Sequence, residues 1–165
     1  MEIIPAIDIR NGKCVRLYQG DYDQQTAFDE EPAAVALRWK SQGAQWLHVV
    51  DLDGAAVGEP KNIVVVEKII KESRLLVELG GGIREEKTAE ELLQKGVRCI
   101  ILGTVTIENP RLVQKLCQRF GEVIIAGLDA REGKIAIHGW QKDTAIDVLE
   151  LSREMVELGV RRFIY

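Results

Sequence analysis

The chain has 165 residues, 46% of them hydrophobic, which is enough for one domain with a substantial buried core and argues against intrinsic disorder. Its 26 acidic and 22 basic residues give a net charge of −4 and are mixed along the sequence, with no basic run and 5% aromatic content, so no nucleic-acid partner is expected. Neither the opening MEIIPAIDIR nor any later stretch has the apolar length of a signal peptide or a membrane helix, so a cytoplasmic protein without membrane contact is expected.

In chain order, a β-branched run over residues 3–9 predicts a first strand, followed by a long polar loop carrying Lys13, Arg16 and Gln19-Gly20-Asp21 that could fold over a ligand. Val35, Ala36 and Trp39 mark a helix, and residues 46–51 a second strand containing His48. That strand ends near Asp51 and Asp53, which could bind ligand hydroxyls or hold the loop. A helix marked by Val66, Ile69 and Ile70 precedes a third strand at 75–79 and the run Gly80-Gly81-Gly82-Ile83-Arg84. A helix through Ala89, Leu92 and Leu93 leads to a fourth strand at 98–102, followed by Gly103-Thr104. The clearest helix has Leu112, Val113, Leu116, Cys117 and Phe120 on one face, with Asn109 able to cap it and Pro110 fitting its first turn. Strands five and six are expected at 123–128 and 162–165. Gly43, Gly96, Gly121 and Gly159 each stand between a helix and a strand, where a left-handed terminating residue is needed.

Repeated βα units with near-continuously apolar strands require a parallel sheet covered by helices, either an open doubly wound sheet or a closed eight-stranded barrel. An internal repeat favours the barrel. D-x-R-x-G-K occurs as Asp8 to Lys13 and again as Asp129 to Lys134, every residue 121 positions after its counterpart, each copy at the end of an apolar strand. Two four-strand halves, about 1–121 and 122–165, then belong to one (β/α)8 barrel with both aspartates at one mouth. Residues 43–49 and 159–165 continue the correspondence weakly, which puts Tyr165 inside the sixth strand. The sequence is therefore expected to be a truncated, incomplete barrel of five and a half to six units, able to self-associate through its open edge.

Asp8 and Asp129 are the candidate catalytic pair, because two carboxylates serve as base and acid when their environments separate their protonation. Alone, an aspartate before a polar turn is more often a turn residue, and the duplication is what points to chemistry. Gly81, Gly82, Gly103 and Thr104 lie on adjacent loops at the same mouth and could cradle a phosphate through backbone amides and a hydroxyl. Arg16, Gly20, His48, Asp51 and Trp140 complete the candidate binding residues, although a lone Trp such as Trp140 is more commonly core. His138 is expected to be exposed. With two histidines, no HExxH, and Cys14, Cys99 and Cys117 widely separated, no metal site or disulfide is expected.

The segments IIPAIDIRNGKCVRLYQGD, LHVVDLDGA, VELGGGIR, ILGTVTIENP and AGLDAREGKIAIHGW resemble, in order and spacing over the whole chain, the phosphoribosylformimino-aminoimidazole carboxamide ribotide isomerases of histidine biosynthesis. The resemblance implies a (β/α)8 barrel of two similar halves, an Amadori rearrangement of an aminoaldose to an aminoketose, a phosphorylated small-molecule substrate and no cofactor. It implies Asp8 as proton acceptor, Asp129 as proton donor, Gly81, Gly82, Gly103 and Thr104 as one phosphate site, and Trp140 as a residue packing on the substrate. It also implies a second phosphate site on strands seven and eight. The alternatives are the cyclase of the same pathway, a relative that also isomerises phosphoribosylanthranilate, a non-catalytic barrel fragment, and a doubly wound nucleotide-binding domain, for which no GxGxxG follows the first strand.

Overall fold

The computed structural model describes residues 2–18, 20–28, 31–139 and 142–165. Its elements run β1 (Ala6–Arg10), β2 (Lys13–Tyr18), β3 (Asp21–Ala27), α1 (Pro32–Ser41), β4 (Trp46–Asp51), α2 (Leu52–Val57), α3 (Ile63–Ser73), β5 (Leu76–Gly80) and α4 (Glu86–Gln94). They continue with β6 (Cys99–Leu102), α5 (Val105–Glu108), α6 (Pro110–Phe120), β7 (Ile124–Gly127), β8 (Ala130–Arg131), β9 (Lys134–Ile137), β10 (Lys142–Asp147), α7 (Val148–Glu157) and β11 (Arg162–Ile164).

Six strands pair in parallel in the order β11-β7-β6-β5-β4-β1, with β2 and β3 added antiparallel beyond β1. Strand alternation divides their side chains between two cores. Ile7, Ile9, Leu47, Val49, Val77, Leu79, Ile100, Leu102, Ile124 and Ala126 face the helices in one large cluster. Their neighbours of opposite parity, Trp46, Cys99, Ile101, Ile125 and Ile164, form a second cluster on the concave side. Burial on both faces is why these strands read as apolar runs, and the arrangement is that of an incomplete (β/α)8 barrel.

Helices seat on the outer face as their spacing predicts. In α6, Val113 and Leu116 are fully buried, the Asn109 side chain accepts from the Leu112 N–H at 3.2 Å, and Pro110 occupies the first turn. Emptying one such buried leucine costs about 2 to 5 kcal/mol. Cys14, Cys99 and Cys117 are buried thiols. Among the described residues, no helix is long and apolar enough to cross a membrane.

Three stretches differ from expectation. The first strand begins at Ala6, leaving Ile3 and Ile4 exposed at 74% and 39%. The polar stretch after it is a hairpin, β2 with β3, rather than a loop, because Cys14 and Val15 bury under it and backbone pairing carries the largely exposed β3. The stretch after strand five is likewise ordered, as the three-stranded antiparallel sheet β10-β9-β8.

The duplicated motif builds the same turn twice. Asn11 and Gly12 have φ of 50° and 74°, and Glu132 and Gly133 have φ of 50° and 77°. Two successive left-handed residues make the tight hairpin turn for which Asn-Gly is the preferred pair. The flanking registers agree as well, Ile9↔Cys14 and Arg10↔Lys13 in the first copy, Ala130↔Ile135 and Arg131↔Lys134 in the second.

Candidate active site

The carboxyl ends of the strands open into a cavity of about 270 Å3. Asp8 reaches it from β1 and Asp129 from just beyond β7, so the two copies of the motif face one space. Burial pushes both carboxyls above the usual aspartate range, and the electrostatic influence of His48 pulls both partway back. Raised carboxyls of this kind can hold a proton as well as accept one.

His48, on the concave face of β4, lines the same cavity. Its Nδ1 lies 2.8 Å from Oε1 of Glu78, which is 4% exposed on the neighbouring strand β5. Gly81, Gly82, Gly103 and Thr104 line the cavity opposite, and Gly20 reaches it from the β2–β3 hairpin. Two of these glycines are also demanded by packing. At Gly81, φ is +112° and a Cβ would lie 2.2 Å from the Asp51 carbonyl oxygen, while at Gly82 φ is +76° and a Cβ would lie 2.5 Å from the Gly54 oxygen. The glycine run therefore lets the loop after β5 pass against the start of α2, and the close passage leaves bare backbone at the cavity wall.

Two candidates stand elsewhere. Arg16 is exposed and borders a second groove, with Arg38 and Trp39, that shares Asp8 with the mouth cavity, because alternation along β2 turns Leu17 to the mouth and Arg16 away from it. Asp51 is 1% exposed and fully engaged, with Oδ1 accepting from Gly54 N at 2.9 Å and Asn62 Nδ2 at 2.7 Å, and Oδ2 accepting from Lys61 N at 2.6 Å and Asn62 N at 2.8 Å. Of the two roles open to Asp51, these bonds describe the holding of the loop. Asp53 extends the network, accepting from Asn62 Nδ2 at 2.8 Å and from Asn11 N at 2.6 Å, so the β4 terminus braces the first duplicated turn. Trp140 lies outside the described residues.

His138, expected to be exposed, is half-buried. Its Nδ1 sits 3.1 Å from Arg84 Nη2 and its Nε2 3.2 Å from Glu108 Oε1, while its backbone N–H donates to Thr104 Oγ1 at 2.9 Å. These contacts tie the end of β9 to the loops after β5 and β6. The Thr104 oxygen accepts this bond through one lone pair, and its hydroxyl hydrogen is not used in it. The neighbouring Gly139 and the Tyr22 hydroxyl pass so closely that a Cβ on Gly139 would lie 2.6 Å from that oxygen, so the end of β9 also approaches the β2–β3 hairpin. Arg84 and Glu78 were not singled out from the sequence. The signal for Glu78 was a charge embedded in the apolar run Leu75 to Leu79, at a position facing His48 on the adjacent strand.

The family model described as "Histidine biosynthesis protein" matches residues 2–165. The chain belongs to this histidine biosynthesis family. Among curated members, a Dehalococcoides mccartyi protein named 1-(5-phosphoribosyl)-5-((5-phosphoribosylamino)methylideneamino) imidazole-4-carboxamide isomerase is 53% identical over all 165 residues, which span 70% of its length. Proteins of the same name from Acaryochloris marina and Chloroflexus aggregans are each 50% identical over the whole chain, which covers 64% and 68% of their lengths. Membership of the histidine biosynthesis family agrees with the curled parallel sheet and with the order of the motifs along it.

Proposed function

We propose that this chain carries the aldose–ketose isomerase chemistry named for its relatives, an Amadori rearrangement of a phosphoribosylamino imidazole carboxamide to its phosphoribulosyl isomer. The observation that carries the proposal is the meeting of Asp8 and Asp129, from two copies of one motif, in a single cavity walled by glycine-bearing loops. The site has the groups the reaction needs. As acid, Asp129 protonates the ring oxygen of the aminoaldose while the C1–O bond breaks, and the nitrogen lone pair forms the open-chain iminium. As base, Asp8 removes the C2 proton, giving an enaminol. Loss of the C2 hydroxyl proton and protonation at C1 then yield the aminoketose, so no net proton is gained or lost. Burial raises the proton affinity of both carboxyls alike, which supports proton transfer by either, while the assignment of Asp129 as acid and Asp8 as base follows the resemblance to the family.

In this reading Gly81, Gly82, Gly103 and Thr104 hold one phosphate of the substrate, with Thr104 donating its hydroxyl hydrogen, and Gly20 and His48 contact the remainder. The identical turns at Asn11-Gly12 and Glu132-Gly133 support residues 1–121 and 122–165 as parts of two similar halves. A cytoplasmic location goes with a phosphorylated substrate that does not cross membranes unaided. The test is incubation of the chain with the aminoaldose and chromatographic detection of the ketose. Ketose formation is the expected result. A folded chain that forms none, or that instead accepts only the cyclase substrate, overturns the proposal.

A further inference from the structure

The concave face of the sheet holds a second polar group beneath the two aspartates, and nothing in the reaction described above uses it. Glu78 projects from β5 into the apolar interior formed by Trp46, Cys99 and Ile125, where a carboxyl needs partners. It has two. Oε1 lies 2.8 Å from His48 Nδ1, and Oε2 lies 3.9 Å from Arg162 Nη2, whose guanidinium stands 5.8 Å from the Trp46 ring. The β4–β5 register sets His48 directly opposite Glu78, so the contact is built into the sheet rather than left to a flexible loop. Among the described residues His48 borders the mouth cavity and Glu78 does not, so the imidazole links Glu78 to a ligand bound there.

We infer that Glu78 is a positioning residue that fixes the orientation and tautomer of His48, so that Nε2 is presented to the substrate hydroxyl on the carbon whose proton Asp8 removes. The inference rests on the isomerase reading for its substrate, but its geometry does not depend on turnover. A carboxylate offers only acceptor atoms, so the short Nδ1 contact requires hydrogen on Nδ1, and in the neutral ring the lone pair then lies on Nε2. The groups facing the ring are Asp8 from β1, Glu78 from β5 and Asp129 beyond β7, with Arg162 of β11 behind Glu78. Both aspartates act on protons of the sugar, and His48 adds an acceptor of fixed direction between them. The C2 hydroxyl becomes an enol hydroxyl as the C2 proton leaves. A stronger donor results, and an acceptor aimed at it binds the transition state more tightly than the ground state.

Long-range proton–nitrogen correlation spectra of the imidazoles, recorded as a pH series, test the inference directly. The spectra are compared for the unaltered chain and for Glu78→Gln, with His48→Gln separating the signals of His48 from those of His138. The expected result is a His48 ring bearing hydrogen on Nδ1, and a move toward the Nε2–H form in Glu78→Gln, whose amide can donate as well as accept. An unaltered chain with hydrogen on Nε2 of His48 overturns the inference without any variant, and so does a Glu78→Gln spectrum identical to the original. In the ketose assay Glu78→Gln is expected to lower kcat about tenfold, the worth of one hydrogen bond, and to leave KM within about twofold. A rise in KM alone contradicts it. If the unaltered chain forms no ketose, the isomerase reading fails while the spectra still decide the role of Glu78.

Discussion

Asp51 provides the sharpest separation between a residue that binds ligand and one that holds the fold. In Asp51→Ala, four donors that now meet a carboxylate lose their acceptor: the N–H groups of Gly54, Lys61 and Asn62 and the Asn62 side-chain amide. Lys61 N is partly buried and can be rehydrated, whereas Gly54 N and both Asn62 donors are enclosed. At about 1 to 1.5 kcal/mol for each of these enclosed donors, the expected destabilisation is about 3 to 5 kcal/mol, a large share of a typical domain's stability. Asp51→Asn keeps the shape but turns one acceptor oxygen into a donor opposite two donors, for about 2 to 3 kcal/mol. Urea unfolding followed by circular dichroism gives both values through the midpoint shift at constant slope. An Asp51→Ala chain within about 1 kcal/mol of the original would refute the reasoning, as would one of unchanged stability whose only defect is substrate affinity.

Gly81→Ala combines a φ of +112° with a Cβ 2.2 Å from the Asp51 carbonyl oxygen. It should cost at least about 3 kcal/mol in the same unfolding experiment, and retention of the original midpoint would contradict the packing described. Asn109→Ala removes the cap on Leu112 N and should cost about 1 kcal/mol, read as a small shift of the thermal midpoint, with no change in ketose formation per folded molecule. The aspartates make a pH prediction of definite sign. Their folded-state proton affinity is raised, so the stability they contribute is fully present below the ordinary aspartate range and is lost as pH rises through their elevated values. Asp8→Asn and Asp129→Asn should therefore be more stable than the original chain at neutral pH, with the advantage vanishing below about pH 4. A variant that is less stable at neutral pH and equal in acid would reverse the sign.

The parallel strands were legible because burial on both faces forces long apolar runs, and the helices between them because each has a single apolar stripe. The inserted hairpin was not, since β3 carries polar residues on both faces and is held by backbone pairing with β2, a bond that leaves no trace in hydropathy. For the mouth, position at a strand end and the duplication were enough to bring Asp8, Asp129 and the glycine loops to one cavity. Arg16 failed to join them because one step along a strand reverses the face. His138 was misread because its environment comes from Arg84 and Glu108, far away in sequence and joined to it only by the folding-over of β9. Glu78 carried a readable signal, a lone acid in an apolar strand, whose meaning depended on the β4–β5 register.

The central claim is that two aspartates from a duplicated motif share one reaction, and ketose formation by Asp8→Asn and by Asp129→Asn, each verified as folded, tests it most directly. The account predicts that either change alone lowers kcat by at least about 10²-fold. A fully active Asp8→Asn or Asp129→Asn chain would contradict it.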